Sequence, residues 1–570
     1  MSRLAAAVLS MALASCGCAS YREAKRRQIR PWGLQGKEFM VAADHSQASA
    51  AGAFILANGG NAVDAAVASA FALAVARPSS AGLGGGGFML LRVRGQAPVA
   101  VDFREAAPSN AVLRNYADGR VLISTRAARG PWAVAVPGQV RGLTHALQTY
   151  GTKPLAEVLA PAIELAERGV LVDSFTHDAM ADLARAIARD PQDAARYSEL
   201  AKLFLRDERS YPIGSLLRQP ELAATLRLLA KEGPDAFYRG DLAKRIREEL
   251  GRRGVAWTEA DLADYSIRSR VPISGSYRGY QIVGMPPPSA GGACLLEILH
   301  ILEGYDLAKL PAGELHRLLA EAFKHAFADR GAYLGDPDSS PEAAEDALRM
   351  ASADYAAALR KTIGDRTQAP ASYGGRGAKL DAGTSHVSVI DKEGNAVALT
   401  ETVNLPFGSW IVPPGTGFVL NGSMDDFSLK PGAVRLPGVR AYDRNAIGPG
   451  RRPLSSMSPT LVLKDDKVVA AVGASGGPLI ITSVAQALVR VLDLGQRPDL
   501  ALAEPRIHHQ LYPNVLYAER GLPGEIRKAL RDAGHDLQKF PLEPACQIVT
   551  AQDGLFGASD PRKGGRPAGR

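Results

Sequence analysis

Two runs rich in Val, Ile, Leu and Thr, Ser385 to Ile390 and Ala396 to Val403, have the composition of adjacent β-strands. The five residues between them, Asp-Lys-Glu-Gly-Asn, suit a hairpin turn because glycine accepts a positive φ. If the first and last of these five residues close the turn, the register places Thr384 directly opposite Thr402 on the neighbouring strand. The pattern therefore predicts a hairpin whose open end brings two threonine hydroxyls together.

Before the hairpin, helical spacing dominates. Ala43 to Leu56 and Ala62 to Val75 are predicted helices joined by an Asn-Gly-Gly-Asn turn, and helices alternate with short strands to about Ile363. Periodicity alone predicts a mixed α and β protein without a repeat of fixed length. After Thr384 the strand content rises, with four further predicted strands: Thr460 to Leu463, Val468 to Val472, Asn514 to Ala518 and Gln547 to Thr550.

Residues 364–379 are rich in Gly, Pro and Ala, show no apolar period, and are predicted to form an exposed linker. A strand that begins abruptly after such a linker suits a new chain start at Thr384. A threonine with a free α-amino group carries its own general base beside its hydroxyl, which is one way to activate a weak nucleophile. A facing threonine pair is more often an ordinary cross-strand pair, so the hairpin alone leaves both interpretations open.

The composition of the 570 residues, 46% hydrophobic and 22% charged, is that of a folded globular protein with a large core. Much of the net charge of +8 sits at the two ends of the chain, and no basic stripe interleaved with aromatic residues indicates nucleic-acid binding. The Gly- and Pro-rich C-terminal tail is expected to be disordered. Its basic residues are Arg562, Lys563, Arg566 and Arg570.

Residues 1–15 have the form of a bacterial signal peptide, in which Arg3 precedes an apolar run too short to span a bilayer. The run ends in Leu-Ala-Ser-Cys, which resembles a lipobox, so Cys16 is expected to carry a lipid. The alternative is an ordinary secretory signal cut near Ser20. Residues 16–37 form a basic linker that favours an anionic membrane surface. We therefore expect a lipoprotein on the periplasmic side of a bacterial membrane, or otherwise a periplasmic or secreted protein.

Three features that suggest other chemistry are interpreted as structural. Cys294 and Cys546 are expected to be buried free thiols, although a disulfide between them is possible. His508 and His509 would point to opposite faces of a strand, and no carboxylate or third histidine stands at metal-ligand spacing. The glycines at 84–87 lack the Lys-Ser or Lys-Thr of a phosphate loop and are expected to allow close backbone packing near the site.

Many short motifs, taken together in order and spacing, resemble the γ-glutamyltransferases (glutathione hydrolases), and the likeness covers nearly the whole chain after about Glu38. No single motif would suffice. They are Gly84-Gly-Gly-Gly-Phe-Met-Leu90, Asp102-Phe-Arg-Glu-Ala-Ala-Pro108, Met285-Pro-Pro-Pro-Ser-Ala-Gly-Gly292, Gly383-Thr-Ser-His-Val-Ser-Val-Ile-Asp391, Asn404-Leu-Pro-Phe-Gly-Ser409, Met424-Asp-Asp-Phe-Ser428, Arg452-Pro-Leu-Ser-Ser-Met-Ser-Pro-Thr460, Gly473-Ala-Ser-Gly-Gly477 and Gly557-Ala-Ser-Asp-Pro561.

The resemblance implies an α+β fold, the αββα four-layer sandwich of the N-terminal-nucleophile hydrolases. It also implies self-cleavage between Gly383 and Thr384, which gives a large subunit of residues 38–383 and a small catalytic subunit of residues 384–570 that stay associated. Thr384 is then the nucleophile, and Thr402 orients it.

Two further glycines are implied to supply the oxyanion hole. Gly476 and Gly477 follow an apolar strand and precede a predicted helix, so their amides could converge at the turn. Outside such a family, a glycine pair of this kind is most often only a turn.

For substrate binding, the resemblance implies that Arg104 clamps the α-carboxylate of the donor, a task suited to a bidentate guanidinium. Ser455 and Ser456 would reinforce this clamp as hydroxyl donors, while Asn404 and Asp426 would hold the α-ammonium. Both charges of an amino-acid head group are thereby matched.

The chain departs from the family at Ser423, where Gln or Glu commonly precedes Met-Asp-Asp. A serine cannot span the same distance, so one contact to the α-ammonium is expected to be lost or passed to water, which weakens donor binding by about tenfold or more. Residues 431–453 correspond to the family's lid over the substrate pocket, but the lid aromatic is not evident; Tyr442 lies nearby.

The expected activity is γ-glutamyl hydrolysis and transfer. Thr384 attacks the γ-amide of a donor such as glutathione, and water, an amino acid or a peptide takes the acyl group. No metal or organic cofactor is required by this chemistry. Two alternatives remain: a cephalosporin-acylase-type amidase of the same fold, and an inactive lipoprotein that serves as a binding module. The presence of both threonines and both glycines argues against the second.

Overall fold

The computed structural model describes residues 32–118, 121–374, 383–429, 443–540 and 544–570. Its strands are β1 (Trp32–Gly36), β2 (Met40–Ala43), β3 (Gly86–Arg92), β4 (Val99–Phe103), β5 (Ala117–Asp118), β6 (Val121–Leu122), β7 (Val170–Leu171), β8 (Leu216–Leu217), β9 (Arg268–Arg270), β10 (Ile273–Tyr277), β11 (Tyr280–Gly284), β12 (Gly383–Ile390), β13 (Ala396–Asn404), β14 (Thr460–Lys464), β15 (Lys467–Ser475), β16 (Ile507–His508), β17 (Leu516–Ala518), β18 (Leu537–Lys539), β19 (Ala545–Thr550), β20 (Leu555–Ser559) and β21 (Ala568–Gly569).

The α-helices are α1 (Ser46–Ala57), α2 (Ala62–Ala76), α3 (Thr125–Ala128), α4 (Gln139–Tyr150), α5 (Leu155–Arg168), α6 (Ser174–Ile187), α7 (Pro191–Arg196), α8 (Ser198–Phe204), α9 (Pro220–Glu232), α10 (Asp235–Tyr238), α11 (Asp241–Arg252), α12 (Glu259–Ala263), α13 (Gly291–Glu303), α14 (Ala312–Tyr333), α15 (Glu342–Met350), α16 (Ala353–Arg360), α17 (Leu479–Leu488), α18 (Pro498–Ala503) and α19 (Gly524–Asp532). Within the described ranges, no helix has the length and apolar content that a membrane crossing needs.

Most of the described strands belong to two seven-stranded antiparallel sheets. The first sheet has the strand order β1-β20-β19-β15-β14-β11-β10, and the second has the order β21-β2-β12-β13-β3-β4-β9. The predicted hairpin, β12 and β13, therefore lies in the middle of the second sheet.

Two apolar cores show how the layers stack. One core packs α1, α2 and α4 to α6 against a face of the second sheet, through residues such as Val67 and Val387. The other core fills the space between the sheets and lies under α13, α14 and α17, through residues such as Leu90 and Val472. The order of helices, sheet, sheet and helices is the αββα sandwich that the resemblance implied.

The predicted register of the hairpin is confirmed. Thr384 pairs with Thr402, and across the turn the amide of Asp391 donates to the carbonyl of Asn395 at 3.1 Å. Ala396 belongs to the core between the sheets. Because side chains alternate along a strand, Thr402 shares the face of Ala396, and both threonines point toward the first sheet.

Helix α2 fixes the hairpin in place. Its alanine-rich sequence is wholly buried against β12 and β13, because small side chains let the helix approach the sheet closely. Asn61 caps the helix by accepting from the amides of Val63 and Asp64, a contribution of about 1 kcal/mol. Asp391 in the hairpin turn accepts from the Ala62 amide at 2.9 Å. These contacts tie the turn to the helix.

The remaining predicted strands are present as β14, β15, β17 and β19, with ends shifted by a few residues. Helix α1 begins at Ser46 rather than Ala43, because Ala43 ends β2, which pairs with β12. The boundary was therefore decided by sheet pairing, which helical spacing does not reveal.

The expectation of a disordered C-terminal tail is wrong. β21 pairs with β2, and Lys563 is only 2% exposed. Arg562 forms ion pairs with Glu519 at 2.5 Å and with Asp560 at 3.0 Å. Arg562 and Lys563 are therefore part of the fold, in which each has an acidic partner.

Several predictions fall outside the described residues. They concern the signal peptide and Cys16, the basic stretch up to residue 31, the end of the linker at residues 375–379, and the part of the proposed lid at residues 431–442, which includes Tyr442.

Candidate active site

Thr384 and Thr402 form a hydrogen-bonded pair at the open end of the hairpin. Their Oγ1 atoms are 3.1 Å apart, Thr402 Oγ1 lies 2.5 Å from the carbonyl oxygen of Gly383, and the amide of Asn404 donates to Thr402 Oγ1 at 2.8 Å. The single proton of Thr402 goes to the Gly383 carbonyl, so Thr384 is the donor in the threonine pair. The Thr402 hydroxyl thus donates to the Gly383 carbonyl and accepts a hydrogen bond from Thr384.

Gly383 occupies a position that only glycine fits. The strand register shifts between Gly383 and Thr384, and a Cβ added to Gly383 would lie 2.4 Å from the carbonyl oxygen of Asn404. The absence of a side chain also leaves the carbonyl carbon open to attack.

Lys563 holds the backbone of Thr384 through a hydrogen bond to its carbonyl oxygen. Its Nζ donates to the Thr384 carbonyl oxygen at 2.5 Å, to Asp44 Oδ2 at 2.7 Å and to Ser475 Oγ at 3.2 Å. Asp44 also accepts from Gln547 at 2.8 Å. Burial lowers the pKa of Lys563, and the neighbouring Asp44 opposes this shift.

The glycine-rich segment before β3 packs as the sequence predicted. A Cβ on Gly84 would lie 2.2 Å from the carbonyl oxygen of Val419, and one on Gly85 would lie 2.1 Å from that of Thr402. The segment therefore lets the main chain pass directly behind the threonine pair.

Gly476 and Gly477 form the predicted strand-to-helix turn between β15 and α17, with φ of 120° and 58°. Gly477 lines a small cavity together with Thr384 and Thr402. Gly476 lines an adjacent, larger cavity of ≈ 550 Å³, which also reaches Lys563. The turn thus stands beside the threonine pair, at the wall between two cavities.

Arg104 lies in the same small cavity as the threonines and is 1% exposed. Its guanidinium donates to Glu105 Oε2 at 2.9 Å and to the Pro453 carbonyl at 3.3 Å, and it forms an ion pair with Asp426. The two side chains predicted to hold opposite charges of a substrate therefore neutralise each other here. A zwitterionic head group could enter by exchanging partners with them, its carboxylate facing Arg104 and its ammonium facing Asp426.

Asn404 and Asp426 also line the cavity. Asn404 has a φ of 73°, and its side chain donates to the Gly422 carbonyl at 2.8 Å. Burial raises the pKa of Asp426 to about 6, and the nearby Arg104 opposes this rise. Asp426 is therefore a carboxyl group that titrates well above the usual range.

Ser423 does not line this cavity. It is fully buried, and its hydroxyl donates to Glu105 Oε1 at 2.8 Å. Since Glu105 in turn accepts from Arg104, the structure places Ser423 behind the arginine, one residue removed from any group in the cavity. Glu105 stood within a recognised motif, but only the fold shows that it links these two residues.

Ser455 and Ser456 line the same cavity as Arg104, and each hydroxyl oxygen already accepts a hydrogen bond. The Met457 amide donates to Ser455 Oγ at 3.1 Å, and Arg330 Nη2 donates to Ser456 Oγ at 3.0 Å. Sequence reasoning assigned no role to Arg330, because its helix offers only ordinary amphipathic spacing.

His508, His509 and the two described cysteines are buried. His508 contacts Thr482 at 2.9 Å and Gln510 at 3.0 Å, and His509 Nδ1 accepts from the Leu511 amide at 3.0 Å. Burial lowers the pKa of His508 to about 4. Within the described ranges, no group of three His, Cys, Asp or Glu side chains is arranged to hold a metal ion. The two described cysteines, 294 and 546, are buried free thiols.

Comparison with known proteins places this geometry in a family. The family model described as gamma-glutamyltranspeptidase matches residues 48–570. The chain belongs to the γ-glutamyltranspeptidase family. A glutathione hydrolase proenzyme from Escherichia coli K12 is 41% identical over 540 residues, which cover 93% of this chain and 91% of the relative. An acylase ACY 1 proenzyme from Pseudomonas sp. strain SE83 is 39% identical over 515 residues, covering 89% and 88%.

Solved structures support the same assignment. The cephalosporin acylase from Bacillus halodurans matches with a TM-score of 0.84 and 28% identity, over 95% of this chain and 98% of that one. The γ-glutamyltranspeptidase from Helicobacter pylori matches with a TM-score of 0.53 and 36% identity, over 58% of this chain and 93% of that one. Family members thus include both γ-glutamyltranspeptidases and acylases, on the αββα fold described above.

Proposed function

We propose that this protein is a γ-glutamyl hydrolase and transferase that acts on γ-glutamyl amides such as glutathione. The observation that carries the proposal is the single small cavity in which Thr384, Thr402 and Gly477 stand beside Arg104 and Asp426. A nucleophile and a charge pair suited to an amino-acid head group thus share one site. The glutathione hydrolases among the relatives support this choice of donor.

In the proposed mechanism, Thr384 first cleaves the chain between Gly383 and Thr384. Its Oγ1 attacks the carbonyl carbon of Gly383, the bond from that carbon to the Thr384 nitrogen breaks, and the nitrogen takes up a proton. Water then hydrolyses the ester, which leaves a carboxylate on Gly383 and a free amine on Thr384. Thr402 supports the step by donating to the Gly383 carbonyl. The products are the large subunit, residues 38–383, and the small subunit, residues 384–570.

Three observations support this processing. The E. coli and Pseudomonas relatives are both named as proenzymes. The H. pylori chain that aligns with 58% of this protein is about the size of the proposed large subunit. The described linker residues from 364 to 374, which precede the proposed cleavage site, are largely exposed.

In turnover, the new α-amine of Thr384 takes the proton of its own hydroxyl, which attacks the γ-carbonyl of the donor. The Gly477 amide, with that of Gly476, stabilises the oxyanion, a contribution of up to about 3 kcal/mol per donor. The donor's amine leaves with a proton, and water or an amino acid or peptide amine then takes the γ-glutamyl group from Thr384. No metal or organic cofactor enters these steps.

A second candidate is an acylase of the cephalosporin-acylase type. The ACY 1 relatives and the B. halodurans structure favour it. We rank it second because Arg104 and Asp426 together match an amino-acid head group, whereas a glutaryl group lacks the ammonium.

The deciding experiment compares γ-glutamyl-p-nitroanilide with glutaryl-p-nitroanilide, which differ by the α-amino group, with and without glycylglycine as acceptor. The proposal expects preference for the γ-glutamyl compound and faster release of nitroaniline with glycylglycine. Equal or faster turnover of the glutaryl compound by the wild type would assign the protein to the acylases.

We also propose that Cys16 carries the lipid that holds the protein at the periplasmic face of a bacterial membrane. The Leu-Ala-Ser-Cys run supports this, and the basic residues at 22–30 suit an anionic surface. Cells fed a palmitate analogue should label the wild type but not Cys16→Ser. Equal labelling of both, or labelling of neither, would leave simple secretion as the explanation.

A further inference from the structure

Arg330 lies in the last turn of α14, outside the motifs that define the site. Its Nη2 donates a hydrogen bond of 3.0 Å to Oγ of Ser456, and Ser456 lines the cavity that holds Arg104 and both threonines. The arginine therefore acts on the cavity through one intervening hydroxyl.

The direction of this hydrogen bond decides what Ser456 can do. A guanidinium only donates, so Arg330 occupies a lone pair of Ser456 Oγ and leaves the hydroxyl proton to be donated elsewhere. The Ser455 hydroxyl is also left free to donate its proton, because its Oγ accepts a hydrogen bond from the Met457 amide. A carboxylate only accepts hydrogen bonds. Two hydroxyls preset as donors are thus matched to a carboxylate ligand.

The charges of Arg104, Glu105 and Asp426 also favour a further cation beside Ser456. Arg104 is paired with the buried Glu105, and Asp426 is the partner expected for a ligand's ammonium. The α-carboxylate of a γ-glutamyl donor then adds a negative charge that Arg104 shares with two other carboxylates. Arg330 brings a further permanent positive charge to the side where Ser456 stands.

We infer that Arg330 is a positioning residue for the α-carboxylate of the donor, which holds the Ser456 hydroxyl in its donating orientation and adds positive charge beside it. The inference rests on the proposed γ-glutamyl function. It predicts an effect confined to donors that carry an α-carboxylate.

The test compares Arg330→Met, Ser456→Ala and the double variant on two substrates. These are γ-glutamyl-p-nitroanilide and 4-aminobutyryl-p-nitroanilide, which keeps the ammonium but lacks the carboxylate. Arg330→Met should raise KM for the first by about 10- to 100-fold, with kcat changed less than about threefold. It should leave kcat/KM for the second unchanged. The double variant should be no worse than the more impaired single variant, because both remove the same interaction.

Two controls isolate the role of the side chain. Arg317→Met removes another partly buried arginine of the same helix, paired with Glu314 at 2.5 Å, and should leave both substrates unaffected. Arg330→Lys keeps the charge and should recover part of the affinity for the donor that Arg330→Met loses. If the methionine variant folds poorly, the lysine variant still tests whether the charge at this position contributes to donor affinity. Where the second substrate turns over too slowly, competition by free glutamate against 4-aminobutyrate gives the same comparison.

The outcomes separate the two proposals. A wild type without γ-glutamyl activity would contradict the proposed function itself. An active wild type, together with a loss in Arg330→Met that is equal for both substrates or that multiplies with Ser456→Ala, would overturn the role of Arg330 alone.

Discussion

The ammonium of Lys563 lies 2.7 Å from the carboxylate of Asp44 and 2.5 Å from the carbonyl oxygen of Thr384. Asp44 is fully buried, so the C-terminal tail supplies the cation that this carboxylate needs. It also holds the backbone of the proposed nucleophile. The C-terminal segment therefore helps to hold the candidate active site in place.

Removing this cation should destabilise the precursor. In the uncleaved Thr384→Ala background, Lys563→Met is expected to lower the free energy of unfolding by about 3–5 kcal/mol, because Asp44 stays buried without a partner. Lys528→Met, which breaks an exposed pair with Asp532, should cost about 1 kcal/mol or less. Denaturant unfolding measures both. Equal effects of the two substitutions would show that the buried pair contributes nothing special.

Thr402 should be needed for maturation. Thr402→Ala removes the hydrogen bond to the Gly383 carbonyl and leaves the buried Asn404 amide without its acceptor, at a cost of about 1–3 kcal/mol. We expect self-cleavage to slow by tenfold or more, while Thr402→Ser keeps most of the rate. A time course of precursor loss on a denaturing gel measures this. Cleavage of Thr402→Ala at the wild-type rate would remove Thr402 from the mechanism.

Gly383 should tolerate no side chain. A Cβ in Gly383→Ala would lie 2.4 Å from the Asn404 carbonyl oxygen, so the strand must shift, at a cost of about 1–3 kcal/mol. Slower self-cleavage should follow on the same gel assay. Gly364→Ala is the matched control, because no atom lies within 4 Å of its added Cβ, and it should cleave normally. Normal cleavage of both variants would mean that cleavage of the Gly383–Thr384 peptide bond does not depend on the close packing at Gly383.

Local patterns in the sequence were sufficient to predict the hairpin. Alternation and turn chemistry are properties of a few neighbouring residues, and they were enough to align Thr384 with Thr402. The pairing of Lys563 with Asp44 joins residues from opposite ends of the chain, and no local pattern contains it.

The same limit explains the tail and the substrate site. The tail was predicted to be disordered from its Gly- and Pro-rich composition, whereas in the fold β21 pairs with β2 and Lys563 pairs with Asp44. The family resemblance identified Arg104 and Asp426 as site residues. It did not predict that they pair with each other or that Ser423 contacts Glu105. Both contacts join loops from the two halves of the chain, so they depend on the fold.

Donor binding should have an acid limit set by Asp426. Burial raises the pKa of this carboxyl to about 6, and only its ionised form can hold an ammonium. As the pH falls through that value, protonation removes the negative charge while the donor stays cationic, so kcat/KM for γ-glutamyl-p-nitroanilide should approach a tenfold loss per pH unit.

The variant Asp426→Asn tests this assignment. It should lose about 10- to 150-fold in kcat/KM at neutral pH, the value of a hydrogen bond to a charged group, and it should lack the acid limb near pH 6. An acid limb that persists unchanged in the asparagine variant would belong to another group.

The central claim is that one threonine both cleaves the chain and attacks the substrate. N-terminal sequencing and mass measurement of the purified small chain test it most directly, before and after brief exposure to γ-glutamyl-p-nitroanilide. We predict a small chain that begins at Thr384 and gains the mass of one γ-glutamyl group on that residue, whereas Thr384→Ala stays a single inactive chain. An active wild type that remains one chain, or whose small chain begins at another residue, would contradict the account.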